Sequence, residues 1–413
     1  MDKKISGSTN DNILELHTAE MKAFTMIDVK IFDMLEIKGN TFPIKHEDTK
    51  QNKPLKPPKT HKQMIKQFEE NGVTFTEEER EEALELLKNN NYYRLSVFPK
   101  LILKELPLGS DSIDKNKKES KDVQKMSFTE VIKLYQFDEQ LRILLIEYIF
   151  KIEIMLKQSL ANYLALNYKD YKESDNEDFQ RSKEVPEALC YLDYSIYATD
   201  DTTKVDALLS NYYTEIERKI KHEPALKHHI ENYGGNIPIW VLIEVLTFGT
   251  LNWFITNLHK TIRVDWTNQT FNLPRPQMLM EMLKTLQFIR NDCAHGNRLY
   301  GKFFTFSPTI LDEDLEKIIG SEELTLKNTK NSKLNAQEIE EKNKIVAEND
   351  LRIHTLFSGF LVVKEVLRIM DKRTKEKWNL SMKSLSNVIE IEKFERYYIG
   401  FPEDWLEILT LKI

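Results

Sequence analysis

Apolar positions along the chain recur mostly at three- and four-residue steps, a spacing that predicts helices. The longest such stretch starts at Phe128 and reaches about Tyr168 without a glycine or proline, and the capping-box spacing Ser127-x-x-Glu130 opens it. Roughly forty residues at about 1.5 Å each make a rod of about 60 Å. Between Ile143 and Ile154 apolar residues run nearly all the way round, which predicts a middle buried on several sides. Thr60-x-x-Gln63 and Thr76-x-x-Glu79 open two shorter helices, ended by Asn71-Gly72 and by Asn89-Asn90-Asn91. A third apolar stretch follows to Leu108, and residues 109–126 read as a polar loop.

Downstream, residues 169–204 are acidic and broken, reading as a loop with a short helix, and Val205–Lys221 reads as another helix. Ile237–His259 is the most apolar stretch and holds only Glu244 as a charge. Gly249 and several polar residues interrupt it, so it predicts a core helix broken near Gly249 rather than a membrane span. Pro274 and Pro276 suit the first turn of a helix reaching about Ala294. Residues 296–340 read as irregular, Asn343–Met370 as a helix, and the rest as a basic patch (Lys372, Arg373, Lys375, Lys377) with a short aromatic-rich tail.

At the other end, an apolar stretch at Ala23–Ile37 predicts one helix. The run Lys50–Lys59, with three prolines, cannot be helical and reads as an extended connector. Its lysines, continuing to Lys66, suit phosphate contact but read first as a solvated linker. The fold class is all-α, a helical bundle with a long central helix plus accessory N-terminal helices. Its expected divisions are 1–58 (extension and connector), 59–126 (accessory helices and loop), 127–370 (the main helical domain) and 371–413 (C-terminal tail). No repeat of solenoid length is present.

Composition agrees. The 413 residues include only 12 glycines and 13 prolines, about half the usual share, leaving little room for the tight turns of a β-sandwich. Two cysteines, Cys190 and Cys293, exclude a disulfide framework and a four-cysteine zinc site. The polar opening from Met1 to Asn12 has no signal-peptide pattern, so the expected location is the cytoplasm, with no membrane. A net charge of −7 weighs against coating nucleic acid by bulk charge, but says nothing of a local cleft.

Phosphate-binding glycine loops, HExxH and GxSxG are all missing from the sequence. His228-His229 with Glu231 is a weak metal candidate, outweighed by a surface-histidine reading, so no metal or cofactor is expected. Cys293 reads as a small buried thiol before it reads as a nucleophile. One segment concentrates polar chemistry: Arg290-Asn291-Asp292-Cys293-Ala294-His295-Gly296-Asn297-Arg298 at the end of an apolar helix. Gly296 suits the left-handed position just past a helix end, which puts His295 in the last turn. Asn291 and His295, four apart, share a face. Arg290 and His295, five apart, sit about 140° around an ideal helix, so Arg290 must wrap or the last turn must loosen. As a bare pattern Arg-x4-His arises about once by chance in such a chain, and a helix end with both side chains bonded to its last carbonyls is the plainer reading.

Four ordered motifs change that balance. Arg290-Asn291 with Ala294-His295 and Arg298-Leu299 resembles the signature of the Abi family of bacterial abortive-infection proteins, the AbiD/AbiF-like group within the HEPN ribonuclease class. Asn91-Tyr92-Tyr93-Arg94-Leu95-Ser96 is similar to the family's N-terminal motif. Leu134-Tyr135, Phe137-Asp138 and Leu141-Arg142, with Ile152-Glu153-Ile154, resemble its long-helix motif. Phe248-Gly249-Thr250-Leu251 resembles the segment before the catalytic helix. Two departures stand out: Gly296 replaces a usual second histidine, and Tyr300-Gly301-Lys302 replaces an aromatic followed by Asn-Arg.

The resemblance implies a HEPN-like bundle and a toxin-like, metal-independent endoribonuclease in anti-phage defence. Cleavage beside a 2′-hydroxyl needs a base, an acid for the leaving 5′-oxygen and positive charge on the phosphorane. His295 then supplies proton transfer, Arg290 the charge, and Asn291 orients His295 or the phosphate, with Asn297 and Arg298 as substrate contacts. One histidine per chain suits a composite site in a homodimer. The expected partners are an RNA substrate and a restraining antitoxin, either a protein or a small structured non-coding RNA, in a toxin–antitoxin arrangement. Arg142, Glu153 and Arg298 read as site residues or as core ion pairs. The alternative function is a non-catalytic module that holds RNA or protein.

Overall fold

A computed structural model describes residues 57–103, 125–319, 335, 337–340, 342–343 and 353–413. The expected helix at Ala23–Ile37, most of the Lys/Pro-rich connector, the loop at 109–124 and most of the start of the helix expected from Asn343 lie outside them. Of the two compact units, residues 1–59 and 60–413, only the second is described in any length.

The described fold is all-α apart from one two-residue parallel strand pair, β1 (Val73–Thr74) with β2 (Met126–Ser127). The three capping boxes form as expected. Thr60 and Gln63 open α1 (His61–Glu70), Thr76 and Glu79 open α2 (Glu77–Asn89), and Ser127 and Glu130 open α4 (Phe128–Lys172). Glu79 also accepts from the Thr129 backbone and hydroxyl at 2.9 and 2.6 Å, tying the starts of α2 and α4 together. Between them, α3 (Tyr92–Leu103) begins where Asn91 Oδ1 accepts the Tyr93 amide at 3.0 Å.

At 45 residues, α4 is longer than the sequence pattern predicts, about 68 Å at the usual rise. Its core face includes Leu141, Leu145, Tyr148, Ile149, Ile152 and Leu156, all fully buried. The middle of α4 is buried on several sides, but not all round: Ile143, Phe150 and Ile154, within about 40° of each other on the helix, remain exposed. The broken stretch after α4 is held by a buried ion pair, Lys172 Nζ to Asp193 Oδ2 at 3.1 Å. Tyr168 and Ser195 also donate to that carboxylate.

Thereafter the chain forms α5 (Thr202–Lys219), α6 (Pro224–Asn232), α7 (Ile239–Val245), α8 (Phe248–Asn257), α9 (Lys260–Phe271) and α10 (Gln277–Ala294). The apolar stretch Ile237–His259 does break, at Thr247, whose hydroxyl accepts the Thr250 amide and caps α8. No helix among the described residues is long and apolar enough to cross a membrane. After α11 (Asp312–Ile319) comes α12 (Leu356–Leu367), buried at every position but Lys364, which pairs with Asp314 at 2.7 Å. A Cβ at Gly359 would lie 2.6 Å from the Ile289 side chain, so glycine sets the approach of α12 to α10.

The expected basic patch and tail instead form α13 (Lys372–Glu392), capped by Asp371, and α14 (Trp405–Leu409). Trp378, Met382, Leu385 and Ile389 are spaced four, three and four apart and are buried. The Trp378 indole donates to the Leu409 carbonyl at 2.7 Å. Lys133 pairs with Glu392 at 2.6 Å and Lys377 with Glu147, so α13 lies along α4.

Candidate functional site

The site is built on the end of α10. Helix geometry stops at Ala294, His295 is the cap residue, and Gly296 takes φ +64°. The Gly296 amide donates to the Cys293 carbonyl at 3.2 Å and the Asn297 amide to Asp292 at 2.8 Å, the two bonds of a Schellman ending. Glycine is needed there because L side chains are strained in the left-handed region.

Four parts of the chain brace this ending. Arg94 on α3 donates to the carbonyls of Gly296 and of His295, the latter at 3.3 Å. A cation is thereby placed on the negative end of the helix dipole. From α4, Asp138 Oδ1 accepts the Leu299 and Tyr300 amides at 2.7 Å each, while its other oxygen pairs with Arg142. Burial holds the Asp138 carboxyl above the usual range, against the pull of the Tyr300 amide, Arg142 and the Leu299 amide. Arg142 also reaches the Asn297 carbonyl at 3.4 Å. From behind, Lys302 pairs with buried Asp292. Finally, α8 packs against α10, with Asn252 donating to Gln287 at 2.6 Å.

The motif residues thus divide in two. Asp292 accepts from the Asn297 amide group at 2.9 Å and from Lys302, and Arg298 donates to the Tyr300 carbonyl at 2.7 Å. Among the described residues, the side chains of Arg290, Asn291 and His295 have no such ties to other elements. His295 and Asn291 are exposed, Arg290 half-buried. Arg290 Nη1 makes a long bond of 3.4 Å to Asn291 Oδ1, and its Nε has no partner among the described residues. Asn291 therefore meets Arg290 within the chain, while its backbone carbonyl accepts the His295 amide at 2.9 Å. No hydrogen bond joins Arg290 to the His295 ring. The five-residue tension is not relieved inside one chain.

Other candidates settle into structural positions. Burial pushes the Cys293 thiol up to about 12, with Asp292 adding to the shift, so it is protonated and a poor nucleophile. Glu153 pairs with Lys157 at 3.1 Å, about 16 Å along α4 from Arg142. His228 bonds with Asn232, and the rings of His228, His229 and Tyr233 pack edge to face or tilted.

Beside the α10 ending opens a cleft of about 250 Å³ lined by Tyr93, Arg94, Val97, Tyr135, Asp138, Arg142 and residues 296–298. Sequence reasoning assigned no role to Tyr93, Arg94 or Asp138, although each lies in a quoted motif. Only their membership in those motifs marks them, since nothing local in the sequence shows that residues 94, 138 and 296 meet.

An all-α bundle that braces one polar helix ending from two distant motifs defines a class in which the motifs occur together. The profile of the Abi-like protein family matches residues 85–301, just over half of the chain, and the chain belongs to that family. The match runs from within α2 to Gly301 and so contains α3, α4, α10 and the braced ending. No curated protein and no solved structure shows significant similarity to it. Membership connects the chain with abortive infection.

Proposed function

We propose that the protein is a toxin-like, metal-independent endoribonuclease of an abortive-infection system, of the HEPN class and AbiD/AbiF-like. One observation carries this reading. Of the polar side chains at the end of α10, those of Asn291 and His295 are exposed and that of Arg290 is half-buried, and among the described residues the one side-chain bond these three make is that of Arg290 to Asn291, while Asp292 and Asn297 tie the loop. A braced helix end that presents an arginine and a histidine suits proton transfer and charge on a phosphorane better than it suits stability.

In this mechanism His295 moves the proton of the attacking 2′-hydroxyl or of the leaving 5′-oxygen. Arg290 stabilises the phosphorane, and Asn291 holds Arg290. Arg298, on the cleft wall, contacts substrate, and Asn297 acts by shaping the loop. Proton transfer at both oxygens from a single exposed histidine favours a homodimer that pools two copies of the site. Residues 127–370 are the catalytic body, with 59–126 and 371–413 as accessory parts. The protein works in the cytoplasm, held in check by a protein or small RNA antitoxin.

The test is to incubate the purified full chain with total RNA in EDTA and read the fragment ends. Discrete fragments with 2′,3′-cyclic phosphate and 5′-hydroxyl ends are expected, and a requirement for Mg²⁺ in cleavage contradicts the mechanism. A non-catalytic RNA- or protein-binding module is the second reading, favoured by Gly296 standing where the family motif usually has a second histidine.

A further inference from the structure

The motif Asn91–Ser96 does two separable things. Tyr92, Leu95 and Ser96 are buried, with Tyr92 packed on Phe68 at 4.7 Å between ring centroids. Tyr93, Arg94 and Val97 lie on the other side of α3 and line the cleft beside His295. Packing accounts for the first set. It does not account for Tyr93, which is 71% exposed and whose ring lies T-shaped to that of Tyr92, 5.8 Å between centroids.

We infer that the cleft binds one unpaired nucleotide of an RNA strand, with Tyr93 as the surface on which its base stacks. Three features support this ligand chemistry. First, an exposed aromatic face beside arginines is the platform on which single-stranded nucleic acid binds, because every base has a π-face and every linkage a charge. Second, three arginines, Arg94, Arg142 and Arg298, line the cleft together with one buried carboxylate, that of Asp138, and Glu139 lies 3.8 Å from Arg142. Anions are therefore favoured. Third, about 250 Å³ is just below the roughly 300 Å³ at which pockets for drug-sized ligands begin, enough for a nucleoside-sized group. A base inside a duplex cannot reach such a platform, so the preferred RNA is single-stranded.

The inference rests on the nuclease reading for its substrate class, since Arg94 joins the cleft wall to the carbonyls of His295 and Gly296. A nucleotide seated on Tyr93 would hold a neighbouring phosphate near the end of α10.

The experiment measures binding of a short fluorescein-labelled RNA strand, alone or annealed to its complement, to the full chain carrying His295→Ala. Tyr93→Ala and Tyr93→Phe are compared in that background, with thermal unfolding as a folding control. The expected results are a preference for the single strand, a loss of roughly 5- to 100-fold with Tyr93→Ala and a change within about twofold with Tyr93→Phe. Equal affinity for strand and duplex, no binding by the parent, or indifference to Tyr93→Ala each overturns the inference; the last is the result expected if the face docks a protein. The two readings fail separately. Cleavage by the protein with His295 intact that is indifferent to Tyr93 removes the cleft and leaves the nuclease. Tyr93-dependent binding without cleavage leaves the cleft and removes the nuclease.

Discussion

Arg94 Nη2 donates to the carbonyl oxygen of His295 at 3.3 Å, across 201 residues of sequence. The same guanidinium caps Gly296, so the last turn of the candidate catalytic helix is held by the first turn of α3. Arg94 is thus a positioning residue. Arg94→Ala removes both bonds and is expected to cost about 1–3 kcal/mol in urea unfolding and to lower kcat by tenfold or more. Arg94→Lys keeps the charge but loses the fork, and recovers stability better than rate. Equal kcat in all three proteins contradicts the role.

Gly296 is incompatible with a side chain for two reasons. Its φ of +64° costs an L residue about 1–2 kcal/mol, and a Cβ would stand 3.0 Å from Arg94 Nη1. Placing a second histidine beside His295 with Gly296→His is therefore expected to lower stability by at least that amount and to slow cleavage by displacing Arg94. A faster enzyme with an unchanged urea midpoint is the opposing result.

Asp138 joins α4 to the loop after α10 through two backbone amides and Arg142. Its carboxylate is 1% exposed, so Asp138→Ala strands the Arg142 charge and two buried amides. The expected cost is about 3–5 kcal/mol, and activity should fall even where the variant is still folded. Asp138→Asn, able to accept both amides, should recover part of the stability. Calorimetry of the three proteins checks the order.

Much of this architecture is legible in the sequence. Hydroxyl–amide and hydroxyl–carboxylate spacings at Thr60, Thr76 and Ser127 mark helix starts because the bonds they make are local, and Gly296 marks a helix end for the same reason. The helix at Lys372–Glu392 is hidden because its basic first turn draws attention away from Trp378, Met382, Leu385 and Ile389, whose partners lie elsewhere in the chain. Exposure of Ile143, Phe150 and Ile154 is equally invisible, since hydrophobicity indicates that a face can be buried and tertiary packing decides whether it is. Residues 290–298 stand out as a cluster of chemistry, but the division of that cluster into bracing and outward-facing groups depends on Arg94, Asp138 and Lys302 arriving from other elements.

Asp193 supplies a pH-dependent test of the lock behind α4. Burial raises its carboxyl pKa, but bonds from Ser182, Tyr168 and Ser195 outweigh it and hold the folded value below the usual carboxylate range. A depressed folded pKa contributes stability that is present above the unfolded value near pH 3.9 and is lost as pH falls through the folded one. Asp193→Asn also leaves the Lys172 charge unpaired, although its ammonium still donates to the Phe179 and Ser182 carbonyls, so the gap to wild type near pH 6 should be at most about 3–5 kcal/mol. The gap should narrow below about pH 4. Asp138 and Glu365, raised by burial, act in the opposite direction, so the difference between the two proteins is the quantity to follow. A gap that widens on acidification contradicts the assignment.

The most direct test of the central claim is the cleavage rate of one RNA strand in EDTA by wild type and by His295→Ala. The imidazole has no hydrogen-bond partner among the described residues, so removing it should leave the fold intact and the urea midpoint unchanged. The account predicts a loss of roughly 100- to 10,000-fold, the usual worth of a general acid–base group. Equal cleavage by the two proteins would contradict it.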